Sequence, residues 1–155
     1  MAESYRLRGN RVAPISPSRI EGMAINVAKI FKFTRRNKGN LDKAFELLFN
    51  LGITLQVIDD DEWFFVTKGH CDPSKATICV PQSIYDNACI GEQDALAVML
   101  HEMGHLFLGH QALLHYSDKD ATEQEDAEWQ ADTFAEIILS SMGYQTKQLT
   151  FDFYI

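Results

Sequence analysis

The chain has no apolar run long enough to cross a bilayer, no internal repeat and no low-complexity block. Its charged opening, MAESYRLRGNRVAPIS, leads into no apolar stretch, so it does not read as a secretory signal. These absences leave no membrane-spanning helix and no repeat architecture to expect, and they make a cytoplasmic location without a membrane partner the expectation. Cysteine is scarce. Cys71, Cys79 and Cys89 are odd in number and no Cys-x-x-Cys pair occurs, which argues for reduced thiols and against a disulfide framework. His70-Cys71 therefore lacks the neighbours that a second metal site needs, and packing is the expected use of the thiols.

What is present suits one globular domain. The 155 residues are 46% hydrophobic and 23% charged, enough for an ordinary core. We read residues 1–17 as an N-terminal arm, loose at least over 1–13, and 18–155 as a single domain. The net charge of −8 is unevenly spread. Residues 1–38 hold nine Lys or Arg against Glu3 and Glu21, a local balance of +7, which leaves −15 for the remainder. A basic segment can hold nucleic acid, or lie solvated, or lie on the chain's own acidic half. No recognition-helix signature accompanies it, so nucleic acid is not an expected partner.

Periodicity places the elements. Ser16-Pro17 supplies an N-cap and a first-turn proline, and Ile20, Met23, Ala24, Val27, Ile30 and Phe31 continue at helical spacing until Arg35–Gly39. Asn40 caps a second helix carrying Leu41, Ala44, Phe45 and Leu48, with Gly52 as its stop. Strands follow at Ile53–Ile58, Trp63–Thr67 and Ala76–Val80, with Lys68–Lys75 as a loop and a short helix over Gln82–Ala88. A helix from Gly91 to about Gly109 is apolar nearly all round, which puts it in the middle of the domain. A polar connection, 111–122, leads to a long helix over Glu123–Met142 with Ala127, Ala131, Phe134, Ala135 and Ile138 as its seam. Leu149–Ile155 alternates like a strand or docks as an apolar tail. The resulting class is α+β: a helical domain with a small three-stranded sheet packed on the central helix.

That helix carries His101-Glu102-Met103-Gly104-His105, an HExxH pattern. Residues four apart on a helix share a face about 6 Å apart along the axis, so two imidazoles converge on one Zn²⁺ at roughly 2.0–2.1 Å. Glu102 then stands beside the metal, placed to take a proton from water. Gly104 costs about 1 kcal/mol of helix propensity, which points to a close-packed neighbour. His110 and His115 read as solvated residues past the helix end, and Trp129 as packing.

A catalytic zinc takes three protein ligands and one open position. The metzincin pattern needs Gly and His where this chain has Leu108 and Gln111, and His110 falls one residue short. On the next long helix, Glu128 and Asp132 are four apart and border the apolar seam. Glu128 is the third-ligand candidate, with Glu125 and Asp132 as alternatives. Asp132 suits the outer nitrogen of His101, fixing its tautomer.

HEMGHLFLGH followed by EDAEWQADTFAEIIL resembles the ImmA/IrrE family of small gluzincin-type peptidases. Their pattern is HE-L/M-x-H-x-x-x-x-H and then E-x-x-A-D/N-x-F-A, matched here by Glu128, Ala131, Asp132, Phe134 and Ala135. The similarity spans roughly residues 18–142. It implies a minimal zincin-like domain and a cytosolic endopeptidase dependent on zinc, or on manganese. It also implies a protein substrate, typically a helix-turn-helix transcriptional repressor. In such a peptidase Glu102 accepts the proton of the attacking water and returns it to the leaving amine. A second donor to the oxyanion is expected from His115, Tyr116 or Tyr144, and Thr77–Val80 is expected at a sheet edge where substrate adds as a strand. The alternatives are a zincin-like binding module with little or no turnover, and a peptidase acting as a toxin or effector.

Overall fold

The computed structural model describes residues 5–113 and 119–146. Five α-helices and one three-stranded sheet make up its regular structure, so the class is α+β. Helix α1 (Pro17–Phe31) opens at Ser16, whose side chain accepts from Arg19 N, with Pro17 in the first turn. It stops at Phe31, earlier than the periodicity suggests, because Lys32 turns left-handed. Helix α2 (Asp42–Asn50) starts after Leu41 with no side-chain cap, so Asn40 does not serve as one. Gly52, at φ +79°, turns the chain out of α2 toward the sheet.

The sheet order is β1-β3-β2. β1 (Thr54–Ile58) runs parallel to β3 (Thr77–Pro81), from Thr54 opposite Thr77 to Ile58 opposite Pro81. β2 (His70–Asp72) runs antiparallel to β3, with His70 opposite Cys79 and Asp72 opposite Thr77. Two expectations are overturned here. Trp63–Thr67 is not a strand. The Trp63 indole donates to Thr67 O at 2.9 Å, closing that stretch on itself. Its rings pack on one another (Trp63–Phe65 at 5.0 Å, Phe65–His70 stacked at 4.6 Å), while Phe64 and Val66 stay exposed. The strand lies within the expected loop, at His70–Asp72, because β3 then has a partner on each side. β3 is accordingly central, and Thr77–Val80 offers no edge for a substrate.

Helix α3 (Gln82–Cys89) leads into α4 (Gln93–Phe107), capped by Glu92, which accepts from Asp94 N and Ala95 N. Helix α5 (Ala127–Ser141) begins after a single 3-10 turn at Glu123–Glu125 rather than at Glu123, because Asp126 takes the N-cap. Helices α4 and α5 pack across Gly104: a Cβ there would meet Phe134 Cδ1 at 3.1 Å and Ala131 Cα at 3.2 Å. Met99, Leu100, Met103, Ala131, Phe134 and Ile138 have no exposure around this crossing. Trp129 packs, half-buried, against the same core. The three cysteines are free thiols. Among the described residues no helix is long and apolar enough to cross a membrane. The expected strand or tail at Leu149–Ile155 lies outside the described residues.

Residues 5–13 are tied down rather than loose. Val12 N donates to Glu125 O at 2.8 Å, Ala127 N donates to Asn10 O at 3.1 Å, and Arg11 bridges to Asp126. Arg11 Nε also pairs with Glu125 Oε2 at 2.8 Å. Arg8 and Arg11 of the basic segment thus pair with acids in α5 and just before it.

Candidate metal centre

The last turns of α4 and the first turns of α5 bring three ligating atoms together. His101 Nε2 and His105 Nε2 stand 3.1 Å apart. Glu128 Oε2 is 2.6 Å from His105 Nε2 and 3.2 Å from His101 Nε2. Ligand atoms around a tetrahedral Zn²⁺, each at roughly 2.0–2.1 Å, stand about 3.3 Å from one another. The observed triangle is slightly tighter than that. Glu128 Oε2 is buried and accepts no hydrogen bond despite its close neighbours. Two imidazole nitrogens and an orphaned carboxylate oxygen converge on one point, a donor set that a cation would satisfy. His101, His105 and Glu128 are a group that could hold a metal ion.

Each side chain is held from behind. Asp132, one helical turn beyond Glu128, places Oδ1 2.7 Å from His101 Nδ1, and its Oδ2 accepts from Arg8 Nη1 at 2.9 Å. His105 Nδ1 meets His110 Nδ1 at 2.8 Å, and His110 Nε2 meets Gln130 Oε1 at 2.6 Å. Gln130 Nε2 donates to Ala13 O at 2.9 Å and Gln124 O at 2.7 Å. Glu128 sits in the first turn of α5, where the helix dipole favours a carboxylate. Buried Asp126 organises that turn. Its Oδ1 accepts from Glu128 N (2.9 Å) and Gly9 N (3.1 Å), and its Oδ2 from Tyr5 Oη (2.7 Å) and Arg8 N (2.8 Å).

His110 corrects the sequence reading. It is 9% exposed, not solvated. Gly109, at φ +65°, reverses the chain after α4, and His110 N donates to His105 O at 3.1 Å, which folds the ring back against His105. Glu125 is turned away, held by Arg11 and by the Thr122 cap. Asp132 engages Nδ1 of His101, on the far side of the ring from the triangle. Among the oxyanion candidates, Tyr144 donates its hydroxyl to Gly91 O, at the other end of α4. His115 and Tyr116 lie outside the described residues. Tyr5, Arg8, Gly9, Asp126 and Gln130 belong to the site's support and were not singled out from sequence. Asp126 alone carried a local signal, as an Asp at a helix start.

Electrostatics follow the geometry. The His101 and His105 rings close against its Oε2 hold the Glu128 carboxyl well below the usual carboxylate range, against the opposing effect of burial. Burial pulls His101 down, but Asp132 and Glu128 outweigh it and hold the imidazole up at about 10. Burial pushes the Glu102 carboxyl up, partly offset by the two histidines. Burial also lowers His110 to about 4, against its bond to Gln130. Burial, with Glu102 adding to it, pushes the thiol of half-buried Cys71 up to about 12.

The centre floors a cleft of about 740 Å³. Arg8–Asn10, Thr67–Cys71 and Glu102 are among the residues that line it. Comparison with protein-family models, with curated proteins and with solved structures gives no match to this chain.

Proposed function

We propose that this chain is a zinc-dependent endopeptidase with a minimal zincin-like arrangement, of the kind the ImmA/IrrE resemblance suggests. The observation that carries the reading is the convergence of His101 Nε2, His105 Nε2 and Glu128 Oε2 at 2.6–3.2 Å beside the buried carboxyl of Glu102. A nitrogen-nitrogen-oxygen donor set on two helices suits Zn²⁺, and Mn²⁺ is the second candidate. Such a cation, when bound, supplies Lewis acidity for attack of water on a carbonyl.

The chain's own residues supply the rest. Glu102 follows His101 in sequence and lines the cleft with both histidines, yet it belongs to neither hydrogen-bonded chain behind them, so its carboxylate is available to the cleft. Burial raises its proton affinity, which suits a group that takes a proton from water and passes it to a leaving amine. Asp132 and Arg8 orient His101. Among the described residues β2 has β3 as its only sheet partner, and His70 and Cys71 of β2 line the cleft. An extended polypeptide laid along β2 would gain main-chain hydrogen bonds next to Glu102. This moves the expected substrate edge from β3 to β2.

The substrate class that accompanies the resemblance is a helix-turn-helix repressor. The test is metal analysis of the purified chain, followed by incubation with a repressor encoded beside it, wild type against Glu102→Gln. Cleavage by the zinc-loaded wild type, and none by a Glu102→Gln variant that keeps its zinc, is the expected result. Equal behaviour of the two variants would leave a binding module without turnover.

A further inference from the structure

Beyond the metal and its general base stands the relay behind His105; the pattern HE-L/M-x-H-x-x-x-x-H includes His110 but gives it no role in the chemistry. It consists of His105, His110, Gln130 and two backbone carbonyls. We infer that His110 is a positioning residue that sets the tautomer of His105 and so aims its Nε2 lone pair at the metal, an inference that rests on the metal-centre reading above.

The backbone end decides the relay's direction. Gln130 has its amide nitrogen 2.9 Å from Ala13 O and 2.7 Å from Gln124 O. Turning the amide over would set its oxygen against both carbonyls at those distances, with no proton between. The nitrogen is therefore fixed toward the carbonyls, and Oε1 toward His110 Nε2, 2.6 Å away. An acceptor there requires His110 to carry a proton on Nε2. A neutral His110 then has a bare Nδ1, which faces His105 Nδ1 at 2.8 Å.

The metal end reaches the same assignment independently. An imidazole that ligates through Nε2 carries its proton on Nδ1. His105 then donates from Nδ1 to His110, His110 donates from Nε2 to Gln130, and Gln130 donates to the carbonyls. Every polar atom along the path has a partner of the right kind, and the reverse assignment leaves at least one acceptor facing another. The two metal histidines are thus held differently: His101 by a carboxylate that is itself paired to Arg8, His105 by a neutral imidazole. The relay ends on Ala13 and Gln124, so the chain on both sides of the cleft's support is coupled to the orientation of His105.

The test uses Zn²⁺ competition against a chromophoric chelator for wild type, His110→Phe and His110→Asn. Long-range ¹H–¹⁵N imidazole spectra of the zinc-loaded wild type accompany it. The expected spectra show His105 protonated on Nδ1 and His110 on Nε2. His110→Phe is expected to bind zinc about 10- to 100-fold more weakly. His110→Asn, whose side-chain oxygen replaces the lost acceptor, recovers most of that loss. A wild-type spectrum with the His110 proton on Nδ1 overturns the inference without any variant, and so does His110→Phe binding zinc as tightly as wild type. A wild type that takes up no zinc overturns the metal centre itself and the relay with it.

Discussion

Gly9 lies directly against Glu128: a Cβ on Gly9 would stand 2.6 Å from Glu128 Cγ. The N-terminal segment therefore forms part of the wall that aims the carboxylate. Gly9→Ala has nothing to gain from its methyl and must push Glu128 aside. Zinc affinity is expected to fall about tenfold, with the unfolding midpoint of the metal-free protein little changed because the core is untouched. Chelator competition and urea unfolding read the two effects separately. Unaltered affinity would show that Glu128 has room to move.

Glu102→Gln removes a proton acceptor and preserves shape. Because Glu102 is not part of the ligating triangle, zinc content should stay at the wild-type level. Turnover should drop by about 10²- to 10⁴-fold. Loss of zinc together with turnover would instead make Glu102 part of the coordination.

In the metal-free protein burial pulls His101 down, yet Asp132 and Glu128 hold it at about 10, above its ordinary 6.5. A raised pKa stabilises the fold fully below pH 6.5, and that contribution is lost as pH climbs through about 10. A ligand imidazole is neutral, so zinc must displace this proton. Apparent zinc affinity should rise about tenfold per pH unit above pH 6.5. The thermal stabilisation by zinc should widen over the same range. Competition titrations at about pH 6.5, 7.5 and 8.5 check the slope. A flat profile would mean that His101 has no proton to lose.

Asp126 is fully buried and serves Tyr5, Arg8, Gly9 and Glu128 at once. Asp126→Ala removes a helix cap and strands several donors, at a cost of about 3 kcal/mol. The urea midpoint should fall accordingly, and residues 5–13 should become open to limited proteolysis. A variant as stable as wild type, with a protected N-terminus, would show that the β-bridge and Arg11 hold the segment unaided.

Local pattern carried the α4 site a long way. HExxH on an apolar helix is a statement about spacing, and spacing is a property of the helix itself. The same holds for Glu128 and Asp132 on α5, for Ser16-Pro17 at the start of α1, and for the seam of Ala131, Phe134 and Ile138. Each needs only the chain's own neighbours within a few residues. Gly104 marks the limit of local pattern: its unfavourable propensity points to a close approach, but only the packing of α5 makes Ala131 and Phe134 the neighbours.

The remainder depended on which distant segment arrives. Alternation marks a strand's faces and says nothing of its partners, so the aromatic run Trp63–Thr67 looked more strand-like than His70–Asp72, and β3 looked like an edge. Sheet pairing across sequence reversed both. His110 read as solvated because polar residues past a helix end usually are. Its burial comes from the turn at Gly109 and from Gln130, twenty residues on. The order of residues along the chain thus determined which side chains share a helical face. Tertiary packing decided what stands behind them, because hydrogen-bond partners supplied from far along the chain leave no periodic trace in sequence.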